Sequence, residues 1–157
     1  NFGVCLNAQN SNPNSNQDKA GTVVNEILFF AAGESSTLRD LQLYQSVLSE
    51  VFKKNRISQF TKKSADDFML SRLIYKEAIF FGLQGVEIKV TDKVADAMKK
   101  KLAEFSQAEI NREVEVISKA IAMIEIKEAQ LKEKDRFDTW FEIIKRKYQF
   151  KLKSNKE

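Results

Sequence analysis

Hydrophobic and polar positions alternate between two periods along this chain, and the switches mark its elements. Thr22 to Phe30 (TVVNEILFF) is β-branched and aromatic around a polar pair, Asn25 and Glu26. That predicts a strand or a tight hairpin over about 22–30. Residues 31–36 break the pattern, and Thr37 with Asp40 three residues on predicts the N-cap of a first helix, about 37–52. Its Leu41, Tyr44, Leu48 and Val51 recur at helical spacing with Val47 and Phe52 beside them, so one side faces a core. After a polar, basic link, Ser64 to Asp67 offers the next cap, for a helix over about 65–81. There the apolar residues from Phe68 to Phe81 form more than one stripe, which predicts packing on several sides. Gly82 and Gly85 end it.

Val86 to Val90 is short and alternating, and Thr91 with Asp92 starts a third helix, about 92–105, that buries Val94, Met98, Leu102 and Phe105. Ser106 and Glu109 have capping-box spacing for a fourth, about 107–134. Along it Ile110, Val114, Ile117, Ile121, Ile124 and Leu131 repeat at steps of four and three. That seam reads as a homodimer face or as intramolecular packing, and Val116, Ala120, Met123 and Ile126 on a second face favour the latter. Asp138 is placed to cap a last helix, about 139–147, with Trp140, Ile143 and Ile144 inward. Tyr148 to Lys153 then alternates as a strand, about 148–153. A lone terminal strand is not stable, so the two ends of the chain should pair. The expected fold is mostly α with a small β-sheet formed by the N- and C-terminal strands.

Ahead of this domain, taken as 21–157, lies a stretch (1–20) that holds the only Pro and is rich in Asn and Ser, a composition that predicts a disordered tether. Cys5, just before the Asn- and Ser-rich run Asn7 to Asp18, fits either the lipid-bearing start of a bacterial lipoprotein or an incidental thiol.

Composition narrows the chemistry. With no His and one Cys in 157 residues, a His/Cys zinc site, a Ser-His-Asp triad and a His general base all lack their parts. No enzyme activity, cofactor or metal is expected, and no apolar run is long enough to span a bilayer. The formal net charge is +4. It arises from Thr139 onward, where Lys145, Arg146, Lys147, Lys151, Lys153 and Lys156 face only Glu142 and Glu157. A basic end with Tyr148 and Phe150 suits phosphate binding, but the neutral remainder carries no nucleic-acid motif, so nucleic acid is not the expected partner.

The order Val23-Val24-Asn25, a strand, a capped helix, then Leu73-Ile74-Tyr75-Lys76-Glu77-Ala78 leading to Gly82 and Val90-Thr91-Asp92 resembles the N-terminal domain of SurA-type periplasmic chaperones. Thr139-Trp140-Phe141, Lys145-Arg146 and Tyr148-Gln149-Phe150-Lys151-Leu152 resemble the helix and strand that complete that domain. The general architecture is also similar to the substrate-binding lobe of trigger factor. The resemblance implies an ATP-independent chaperone core in the bacterial periplasm, its signal peptide removed, that holds unfolded or extended polypeptides such as outer-membrane proteins. The family often inserts prolyl isomerase domains before the last helix, whereas here residues 132–137 join the two helices directly. An adaptable apolar groove is what such a function requires. Its candidate lining is Phe29 and Phe30 beside a strand edge, Phe80 and Phe81 at a helix end, and Trp140 with Phe141 on the closing helix.

Overall fold

The computed structural model describes residues 26–52, 64–88, 91–128, 130–131 and 133–153. The tether, Cys5, and the first part of the expected 22–30 strand lie outside them. A hairpin opens the described chain. Strands β1 (Ile27–Ala31) and β2 (Glu34–Thr37) pair antiparallel, with Phe29 opposite Ser36 and Ala31 opposite Glu34. Between them Ala32 and Gly33 both take positive φ, 53° and 79°. That is the two-residue geometry that matches the twist of a hairpin. The turn therefore falls where a simple break was expected, and the polar segment Glu34–Thr37 becomes a strand through its pairing.

Thr37 ends β2 and caps α1 (Leu38–Val51). Its Oγ1 accepts from Asp40 N at 3.2 Å, and Asp40 Oδ2 accepts from Thr37 N at 2.9 Å. The same reciprocal box starts α4 (Gln107–Glu128), where Glu109 N donates to Ser106 Oγ at 3.1 Å and Ser106 N to Glu109 Oε1 at 2.9 Å. Between these lie α2 (Ser64–Phe80) and α3 (Asp92–Lys101), the latter capped by Thr91. α5 (Lys134–Lys147) and the short β3 (Lys151–Leu152) close the chain. β3 pairs antiparallel with β1, Phe29 opposite Leu152 and Phe30 opposite Lys151, so the sheet order is β2-β1-β3 and the two ends meet as expected.

Helix ends differ from expectation in three places. α3 stops at Lys101, because Leu102 and Phe105 reach the core from turns instead. α4 stops at Glu128, where Lys127 O accepts from both Gln130 N and Leu131 N. α5 begins at Lys134 with Glu133, not Asp138, at the N-cap position, and Glu133 makes no side-chain cap bond. The cause is Phe137. It is buried, and with Trp140, Phe141 and Ile144 it forms one apolar stripe that the helix must start early enough to include. β3 is likewise shorter than 148–153, since Tyr148 and Gln149 form the turn leading into it.

α2 is the central helix, packed by α1, α4 and α5. Phe68, Leu70, Leu73, Ile74 and Ala78 are all buried along it, each large side chain contributing about 1.5–3 kcal/mol. Phe68 meets Phe29 edge-on at 5.5 Å and Tyr44 at 5.4 Å, which ties sheet and α1 to α2. Along α4, Ile110, Ile117, Ile121 and Ile124 are buried, and so are Val116, Ala120 and Met123. The heptad-like seam is taken up inside its own domain. Gly85 follows α2 where any Cβ would collide with Ser118 Oγ on α4, and Val86 accepts from that hydroxyl at 2.9 Å.

Candidate functional site

The end of α2 leaves three consecutive apolar residues uncovered. Ile79 is 48% exposed, Phe80 65% and the following Phe81 55%. Gly82, at φ 65°, stops the helix. Its N–H donates to Ile79 O at 3.0 Å and Leu83 N–H to Ala78 O at 2.9 Å. This left-handed termination closes the final turn and leaves the two rings outside, edge to face at 5.2 Å.

α5 supplies the neighbouring wall. Trp140, Ile143 and Lys147 lie at i, i+3 and i+7, hence on one face. Lys147 Nζ sits 3.6 Å from the Phe80 ring centre and 5.7 Å from that of Phe81. It is held there by Glu77 Oε1, which accepts from Lys147 Nζ at 2.7 Å and from Tyr148 Oη at 2.6 Å. Glu77 is buried, and the Tyr148 hydroxyl is raised above its ordinary pKa by desolvation and by this carboxylate. Ile143 is exposed on the same helix face. Ile79, Phe80 and Phe81 thus form an exposed apolar surface bordered by Lys147, with Lys145 and Arg146 adjoining in sequence.

Of the six candidate aromatics, the structure brings Phe80 and Phe81 together on this surface. Trp140 and Phe141 are half-buried against Phe137, with Lys127 5.8 Å from the Trp140 ring and Lys145 4.8 Å from that of Phe141. Phe30 is half-buried on the outer side of the sheet. Phe29 lines no groove. It is a core ring, 5.5 Å from Phe68 and from Phe150, because its position in β1 points inward. Ile143, expected inward, is 48% exposed, because Ile144 takes the core position on α5, and Ile79 and the Glu77–Lys147 pair are not among the sequence candidates. The consecutive Ile79-Phe80-Phe81 was a signal for them, since three successive residues on a helix cannot all face one core.

A second feature is polar. A cavity of about 480 Å³ opens between β2, α2 and α4. Arg72 of α2 pairs with the buried Glu113 of α4, and Lys76 pairs with Glu34 at 2.5 Å. Burial raises the Glu113 carboxyl despite Arg72, whereas Lys76 lowers that of Glu34. No protein-family model, curated protein or solved structure matches this chain. Among the described residues no helix is long and apolar enough to cross a membrane.

Proposed function

We propose that this chain is a non-catalytic, ATP-independent chaperone core of the SurA type, acting in the bacterial periplasm on unfolded or extended polypeptides such as outer-membrane proteins. The observation that carries this reading is the exposure of Ile79, Phe80 and Phe81 at the end of α2, beside Lys147 of α5. Large rings held outside the core cost solvation free energy unless something covers them. An unfolded β-barrel chain offers apolar side chains in alternation, and a flat surface without deep pockets accepts many such sequences. Lys145 and Lys147 are already paired with Glu142 and Glu77, so any attraction for acidic client segments comes from Arg146.

The test is suppression of aggregation of an unfolded outer-membrane protein, without nucleotide, by the full chain. The wild type should suppress it near stoichiometric ratio, and a Phe80→Ser/Phe81→Ser double variant should lose most of that effect while keeping its circular dichroism and melting temperature. Failure of the folded wild type at stoichiometric excess would sink the reading. In that event a monomer–dimer equilibrium in sedimentation, abolished by the same double variant, would identify the surface as a contact between two copies.

A further inference from the structure

We infer that the cavity between β2, α2 and α4 is a binding site for a carboxylate. It shares no lining residue with the aromatic surface, so it stands or falls apart from the client-binding reading. The argument rests on which of its polar groups are already engaged. Three carboxylates line it, and each has a partner through one oxygen: Glu34 is bound by Lys76, Asp40 by the Thr37 backbone N–H, and Glu113 Oε1 by Arg72, while the buried Glu113 Oε2 has none among the described residues. The other polar side chains of the lining can all donate. Arg112 makes no ion pair among the described residues, and its guanidinium lies 5.6 Å from the Tyr75 ring centre. The hydroxyls of Ser35, Ser36 and Tyr75 likewise have no hydrogen-bond partner among the described residues.

An unpaired guanidinium kept over an aromatic ring presents its planar fork, which matches the two oxygens of a carboxylate. Consecutive strand residues face opposite ways, so one of the Ser35 and Ser36 hydroxyls, with that of Tyr75, is left to add donors to such a shell. Lys76, Arg72 and Arg112 formally balance Glu34, Asp40 and Glu113, and the burial that raises the Glu113 carboxyl tips the sum only slightly positive, so a single negative charge is favoured over the double charge of a phosphate. The volume admits a small organic acid or the last residues of a polypeptide, whose main chain would run beside Ser35 and Ser36. Both sources offer the same group, and the experiment separates them.

Isothermal titration of the full chain with acetyl-Ala-Ser-Phe, as free acid and as C-terminal amide, reads the site directly, with succinate as a third ligand. The free acid should bind at least ten-fold more tightly than the amide. Arg112→Gln, an exposed change that leaves the core untouched, should remove that difference, and Arg136→Gln on α5 should not. Preference for the peptide acid over succinate assigns the site to chain ends, and the reverse assigns it to free acids. Equal binding of acid and amide, no binding of any of the three at millimolar concentration, or an unaltered Arg112→Gln variant would overturn the assignment. Inorganic phosphate binding more tightly than either carboxylate would also overturn it.

Discussion

Asp67 occupies the first turn of α2, where a helix N-terminus ordinarily favours a negative charge, yet it is buried and its carboxyl is pushed up to about 6. Burial is the larger cause and the neighbouring Asp66 the smaller. Because the folded-state value lies above the ordinary 3.8, folding favours the protonated form. The stability it contributes is complete below about pH 4 and is lost as pH rises through about 6. At about 1.4 kcal/mol per pKa unit the effect is at most about 3 kcal/mol. Asp67→Asn should therefore be more stable than the wild type at pH 7 by about 1–3 kcal/mol in urea unfolding, and close to it at pH 4. Glu113, also raised by burial, tilts both proteins the same way, so the difference between them is the quantity to measure. An identical pH slope in the two proteins would refute the assignment. At this scale the sequence is only partly readable. Spacing places Tyr44 on the buried face of α1, but it says nothing of the hydroxyl, which ends buried with no hydrogen-bond partner among the described residues, as does Glu113 Oε2. Each such group costs about 1–3 kcal/mol.

The elements divide by whether their cause is local. Thr37 with Asp40 and Ser106 with Glu109 are legible as caps because the bonds that make them join residues three apart. β2 is not legible. Glu34, Ser35, Ser36 and Thr37 have no strand pattern of their own, and it is the turn at Ala32–Gly33 and the edge of β1 that extend them. The start of α5 was misplaced for a related reason: Asp138 looks like a cap locally, whereas the burial of Phe137 is a tertiary demand. The two placements make opposite predictions for one substitution. In a helix starting at 139, Phe137 would sit in a linker and its loss would matter little. In the observed helix, Phe137→Ala vacates a position that is 3% exposed and in contact with Trp140 and Phe141. It should cost about 3–5 kcal/mol in chemical denaturation. A cost under about 1 kcal/mol would restore the later start.

For the molecule as a whole, the decisive inference was that a strand at one end needs a strand at the other, which follows from the instability of a solitary strand rather than from any residue. The closure rests on few groups. Lys153 N–H donates to Leu28 O at 3.2 Å, Ala32 N–H donates to Tyr148 O, and Phe150 lays its ring 5.5 Å from Phe29, which in turn contacts Phe68 of the central helix. Leu152, though paired through its backbone with Phe29, is 72% exposed and contributes little through its side chain. Removing residues 150–157 therefore deletes the β1–β3 pairing and uncovers Phe29 at once, while leaving Tyr148 on Glu77. The truncated chain should unfold at least about 2 kcal/mol more readily than the full one. Leu152→Ser should be within about 0.5 kcal/mol of the wild type. The paired comparison assigns the loss to closure of the sheet and the Phe150–Phe29 contact. If the truncated chain kept its full stability, the four-helix packing around α2 would hold the fold alone, and the meeting of the ends would be a consequence of the fold and not one of its supports.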